Sequence, residues 1–304
     1  MIMEKKPVKF SVVDAFTDTA FKGNPAAVCL LEEERDEEWL QAVAMEFNIS
    51  ETCYLTRIHN HDDDRDQETD DSKSNPRFHL RWFTPVAEVE LCGHATLAAA
   101  HVLFSSGLVK SNVIEFLTLS GILTAKKIHK GPKVSSCTSK KDFSIELDFP
   151  TVSVIECDPT DIPSIPLTLN GASVINTKKT NTTGFIIVEL ASGQIVAELE
   201  PQFDELLKCS AAGVIITGSA PHGSEFDFFS RFFCPKLGIN EDPVCGSAHC
   251  ALAPYWSKKL GKSDFLTYMA SPRGGVLDLH LEENTQRVKI RGKAVIVMEG
   301  SVFA

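Results

Sequence analysis

Two short motifs carry the most chemistry in this sequence. Cys92-Gly93-His94-Ala95 and Cys245-Gly246-Ser247-Ala248 each open an apolar, alanine-containing run with helical spacing. The first turn of a helix leaves backbone N–H groups unpaired and carries partial positive charge. Glycine at such a start lets the backbone approach an anion closely. The same field favours thiolate over thiol, whose ordinary pKa is about 8.5. Two such starts could grip a carboxylate while Cys92 and Cys245 flank one carbon, one on each face. That arrangement suits removal of a proton beside the carboxylate, because preorganised N–H donors stabilise the charge that develops on its oxygens. Deprotonation on one face and reprotonation on the other would invert the centre, with no metal or pyridoxal required. The plain alternative is two small core cysteines at helix starts, and the local sequence leaves both open.

The motifs sit in a repeated frame. Arg81-Trp82-Phe83-Thr84-Pro85 resembles Arg231-Phe232-Phe233-Cys234-Pro235, with Arg, Phe and Pro recurring 150 positions later. A Cys-Gly motif follows each phenylalanine, nine residues on in the first copy and twelve in the second. Each half therefore reads strand, loop, Cys-Gly-x-Ala, helix, which predicts two similar lobes with a seam near residues 120–130. Helices are expected over Asp36 to Phe47, His94 to Ser106, Pro201 to Lys208 and Ser247 to Leu260; Gly107 and Gly261 stop the second and fourth. Short runs rich in β-branched and aromatic residues dominate the rest, from Phe10–Val13 through Phe78–Phe83 and Phe226–Phe233 to Ala294–Phe303. No βαβα rhythm appears, so the fold class is α+β.

Composition excludes several functions. With 304 residues, 43% of them hydrophobic and 23% charged, the chain has the makeup of a globular protein and is long enough for two domains. The net charge of −11 is local: residues 32–38 and 61–73 contribute −5 each, leaving the remainder near −1. A nucleic-acid surface needs a clustered basic patch, which is missing. The longest mostly apolar stretch, Ala95 to Phe104, is too short to span a membrane and contains His101. The nine cysteines form no CxxC pair, and the opening MIMEKKPVKF has charge without an apolar stretch. The expectation is a cytoplasmic protein with reduced thiols. No GxGxxG, P-loop, HExxH or GxSxG occurs, so hydride-transfer, nucleotide-driven and serine-hydrolase chemistries lack support. Cys92, His94, Cys245 and His249 could be read as a metal set, but neither Cys-x-His nor Cys-x-x-x-His has a zinc finger's paired spacing; no metal site is expected.

A wider set of motifs, in order along the chain, resembles the phenazine-biosynthesis PhzF-like family of the diaminopimelate-epimerase-like superfamily. They are Asp14-Ala15-Phe16-Thr17, Phe21-Lys22-Gly23-Asn24-Pro25-Ala26-Ala27-Val28, Asn48-Ile49-Ser50-Glu51-Thr52, Arg81–Pro85 with Leu91–Leu97, and Glu241–Ala248. The resemblance implies two pseudo-equivalent lobes, each a mostly antiparallel sheet wrapped around a central helix, with an active site in the cleft. The N-terminal lobe would be 1–125, the C-terminal lobe 126–293, and the last strand, about 294–304, would return to the first lobe. It also implies a homodimer and a cofactor-independent isomerase that moves protons by acid/base chemistry. Carried over by motif, Glu51 is the principal acid/base residue, His94, Asp242 and Ser247 are its partners, and Gly93 and Gly246 mark the anion-gripping helix starts. Asn24, before Pro25, is expected to help close the cleft.

The departure from the family pattern keeps two mechanisms in view. The epimerase relatives use two cysteines at the positions of Cys92 and Cys245, whereas the phenazine enzyme uses none. This chain has Glu51 and both cysteines. The presence of both thiols favours racemisation or epimerisation beside the carboxylate of an amino acid or 2-hydroxy acid. The alternative is a proton shift along an unsaturated substrate through Glu51. His94 stands where diaminopimelate epimerases carry asparagine, which argues against diaminopimelate as substrate. A non-catalytic binding or scaffold role, suggested by the acidic 61–73 stretch, is the alternative from another class.

Overall fold

The computed structural model describes residues 6–58, 75–129, 143–157 and 168–303; the acidic stretch 61–73 lies outside them. The chain divides into two compact units, Met1–Phe21 with Pro25–Asp148 and Arg291–Ala304, and Lys22–Asn24 with Phe149–Ile290. Both mix strands with few helices, an α+β architecture.

In the first unit the elements are β1 (Val8–Ala15), β2 (Asn24–Leu31), α1 (Glu37–Phe47), β3 (Glu51–Arg57), β4 (Arg77–Phe83), β5 (Glu88–Val89), α2 (Gly93–Ser106), β6 (Val113–Thr118), β7 (Gly121–Ile128) and β8 (Ser144–Pro150). Strand β2 runs parallel to β3, β3 antiparallel to β4, and β4 antiparallel to β5 and parallel to β6. The β6–β7 and β7–β8 pairs are antiparallel. Helix α2 is buried without interruption from Gly93 to Phe104 and packs against β1, β3 and β7. Its run of alanines makes this possible, since it has no charged face to solvate. Helix α1 covers another apolar surface, with Leu40, Val43 and Ala44 against Cys29, Leu31, Tyr54 and Phe83. The Asp36 carboxylate caps its start by accepting from Trp39 N–H at 2.8 Å, and Asn48 ends it in the left-handed region. Because β2 and β3 are covered on both faces, their sequences read as nearly continuous apolar runs rather than alternating ones.

The second unit repeats the scheme with β9 (Val154–Glu156), β10 (Val174–Thr180), β11 (Ile186–Leu190), α3 (Gly193–Glu198), α4 (Phe203–Leu206), β12 (Val214–Ser219), β13 (Phe228–Cys234), β14 (Ile239–Asp242), α5 (Gly246–Leu260), β15 (Asp264–Met269), β16 (Gly275–Glu282) and β17 (Arg287–Gly292). Strand β11 is parallel to β12, β12 antiparallel to β13, and β13 antiparallel to β14 and parallel to β15. The β15–β16 pair is antiparallel. In α5, Trp256 stacks on Phe228 at 5.2 Å and donates its indole N–H to Thr217 Oγ1 at 3.0 Å. Pro254 lies inside this helix and has no N–H to give the carbonyl four residues back. Val152 N–H supplies the missing bond, to the Cys250 carbonyl at 2.9 Å. The final strand, β18 (Ala294–Val302), pairs antiparallel with β1 along its length and belongs to the first unit.

Two differences from the sequence reading have simple causes. The seam falls at Asp148/Phe149 rather than near 125, because β8 pairs with β7 from Ala125↔Leu147 to Ile128↔Ser144 and stays with the first unit. Helix α3 escaped notice, although Ser192 caps it by accepting from Ile195 N–H at 3.3 Å. No helix of the described residues is long and apolar enough to cross a membrane.

Candidate active site

In the first unit the candidate residues gather at the start of α2 and the start of β3. Cys92 is the N-cap of α2 in an extended conformation. Gly93 therefore opens the helix, at the end where its dipole is positive. The Cys92 thiol lies 3.3 Å from His94 Nδ1, and Thr96 Oγ1 donates to the Cys92 carbonyl at 2.5 Å. Burial pushes the His94 pKa down to about 3, against the opposing pull of a hydrogen bond with the Pro25 backbone. The imidazole is consequently neutral near pH 7, with one nitrogen able to donate and one able to accept. Glu51 is the first residue of β3, opposite Ala26 in register, and is only 7% exposed. Its neighbour Cys53 is pushed well up, by burial first and then by the charges of Cys29 and Glu51.

In the second unit the matching residues gather at the start of α5. Cys245 is its N-cap, again extended, so Gly246 opens this helix as Gly93 opens the other. The Cys245 thiol lies 3.2 Å from Ser247 Oγ; Ser247 thus faces the thiol rather than capping the helix. His249 Nδ1 lies 2.8 Å from the Cys245 carbonyl, which as an acceptor fixes the proton on that nitrogen. Its Nε2 lies 3.4 Å from Ser230 Oγ, and burial lowers its pKa to about 4. His249 is thus a structural histidine. Among the described residues no three His, Cys, Asp or Glu side chains form a set that could hold a metal ion.

Asp242 is the last residue of β14. Asn24 Nδ2 donates to its Oδ1 at 2.6 Å and to the Val244 carbonyl at 3.0 Å. Burial raises the Asp242 pKa to about 6, although hydrogen bonds from Cys245, Val244 and Asn24 pull the other way. The Cys245 thiol is also pushed up, by burial and by the charge of Asp242. Asn24, expected to help close a cleft, is fully buried as the direct partner of Asp242. Sequence reasoning missed Met269, whose sulfur accepts the Cys245 N–H at 2.9 Å. Nothing local signals it, because the two residues are 24 positions apart.

Chemically, each unit offers a helix start that favours an anion, a thiol at that start, and a carboxyl that is buried or raised.

Comparison with known proteins shows a family. The family described as phenazine biosynthesis-like protein (PhzC-PhzF) matches residues 13–300. An uncharacterized isomerase of Halalkalibacterium halodurans is 42% identical over 96% of this chain and 97% of its own. A human phenazine biosynthesis-like domain-containing protein is 38% identical over 96% and 98%. The crystal structure of a PhzF-family phenazine biosynthesis protein from Enterococcus faecalis superposes with a TM-score of 0.79 at 35% identity, covering 98% of this chain and all of that one.

Proposed function

The chain belongs to the phenazine biosynthesis-like (PhzC-PhzF) family and is an isomerase, and from that premise we propose that its own carboxyl groups move a proton on a small carboxylate substrate. Glu51 is the proton carrier. Asp242 is the second titratable carboxyl, held by Asn24. The helix start at Gly93, with His94 beside it, and the helix start at Gly246, with Ser247 beside it, are each suited to bind a carboxylate. An amino acid or a 2-hydroxy acid fits this equipment.

The observation that carries the reading is the contrast between Asp242 and Cys245. A carboxyl with a pKa of about 6 can take or give a proton near neutral pH. The adjacent thiol, pushed well above its usual range, holds its proton and is a poor base. Two-thiol racemisation through Cys92 and Cys245 is the second reading. It is favoured by the matched geometry of the helix starts, where each thiol contacts the side chain two residues on, at 3.3 and 3.2 Å.

Deuterium uptake in heavy water, screened across free amino acids and 2-hydroxy acids, tests both. Under the carboxyl reading, Glu51→Gln stops exchange while Cys92→Ser and Cys245→Ser retain most of it. Loss of exchange in both serine variants, with Glu51→Gln active, would transfer the chemistry to the thiols. A homodimer in the cytoplasm is proposed as the working form; light scattering on the pure protein checks the assembly.

A further inference from the structure

The turn joining β15 to β16 contains none of the residues singled out from sequence, yet it holds the Asn24–Asp242 pair from both sides. On the Asp242 side, Ser271 Oγ donates to the Pro243 carbonyl at 2.8 Å. Gly274 N–H in turn donates to Ser271 Oγ at 3.1 Å. On the Asn24 side, the Gly274 carbonyl accepts the Gly23 N–H at 2.9 Å. Arg273 completes the grip: its Nε donates to the Gly23 carbonyl at 2.7 Å and its Nη2 to the Lys22 carbonyl at 3.0 Å. Gly274 has a φ of +68°, and a Cβ there would meet the Tyr268 side chain, so the turn requires glycine. These bonds belong to the second unit, of which Lys22–Asn24 is a part.

We propose that Arg273 is a positioning residue: by gripping the Lys22 and Gly23 carbonyls it keeps the Asn24 amide on Asp242, and so sets how readily that carboxyl exchanges a proton. The inference rests on the reading of Asp242 as an acid/base group. Arg273 acts through geometry rather than charge. The groups that act directly on Asp242 are the Asn24 amide, the Cys245 thiol, the Val244 backbone and the like charge of Glu241, itself paired with Arg231. Cys234 also feels the charge of Asp242. Asn24 favours the ionised carboxyl, so loosening it raises the Asp242 pKa.

Carbon-13 NMR of protein labelled in its aspartate carboxyls reads this without any substrate; the Asp242 signal is the one that vanishes in Asp242→Asn. The midpoint near 6 should rise by about one unit in Arg273→Ala and equally in Asn24→Ala, and the double variant should rise no further. Arg273→Lys keeps the charge but loses the forked grip on two carbonyls, so its midpoint should rise as well; this variant decides the matter if Arg273→Ala does not fold. An unmoved midpoint in a folded Arg273 variant, with Asn24→Ala shifted, overturns the proposal. Deuterium exchange separates it from the functional reading. Full exchange in Asp242→Asn with a shifted Arg273 midpoint would keep the grip and remove Asp242 from the chemistry. Lost exchange in Asp242→Asn with an unmoved Arg273 midpoint would do the reverse.

Discussion

The two units run one design with different equipment. Both place an arginine two residues before a phenylalanine on a strand, stack it on that ring and pair it with a glutamate on the next strand: Arg81 with Phe83 and Glu88, Arg231 with Phe233 and Glu241. Both start the buried helix on Cys-Gly and fasten the cysteine's carbonyl to a side chain four residues on, Thr96 in one and His249 in the other. The carboxyls break the match. Phe83 pairs with Thr52 and Phe233 with Val214, so Glu51 corresponds to Gly213. A Cβ at Gly213 would lie 2.6 Å from the Phe232 ring, so the second unit has no room for a side chain there. Trp82 pairs with Val89 and Phe232 with Asp242, so the second unit puts its carboxyl where the first has valine. The helix starts form a shared frame, and the two carboxyls sit at positions of that frame that do not match.

Variants can break or sharpen that asymmetry. The largest expected effect is on turnover: Glu51→Gln should lower the exchange rate by about 10²- to 10⁴-fold with the fold intact, as loss of a general acid/base group does. Circular dichroism and the deuterium assay measure the two parts. Next come the arginine pairs. Arg231 and Glu241 expose 7% and 12% of their side chains, whereas Arg81 exposes 36%. Glu241→Gln strands a buried guanidinium and should cost about 3 kcal/mol in urea unfolding, but Glu88→Gln only about 1 kcal/mol or less. Equal losses would mean that the two pairs are not differently solvated. Gly213→Ala should cost roughly 1–3 kcal/mol, because the Phe232 ring must shift to admit a methyl.

The smallest effect is a change of slope with pH. The Asp242 pKa is raised on folding, so its contribution to stability is fully present below about pH 3.8 and is lost as pH rises through about 6. Thermal unfolding of Asp242→Asn should therefore fall less steeply than wild type across that window. Identical slopes would show that Asp242 ionises as freely folded as unfolded.

The sequence made the helix starts legible because their signals are local: Cys-Gly, an apolar run, then a stopping glycine. The repeat was legible because Arg, Phe and Pro kept their spacing. Glu51 is different. Nothing around it distinguishes a buried acid from an exposed loop acid, and only family resemblance singled it out. What stayed hidden depends on distant pairing. Asn24 meets Asp242 across 218 positions, and Arg273 meets Gly23 across 250. Burial of the Cys245 thiol beside a carboxyl, which pushes its pKa up, is likewise set by packing that no spacing rule encodes.

Pro254 leaves the Cys250 carbonyl open, and Val152 N–H fills it. The residues just past the seam are thereby tied to the helix that Cys245 begins. An alanine at 254 would offer that carbonyl a rival donor from within the helix, and the entry strand could detach while α5 kept its bonds. A residue usually regarded as a helix breaker here makes the helix depend on its surroundings for completion, so its hydrogen bonding is whole only with the segment at Val152 in place.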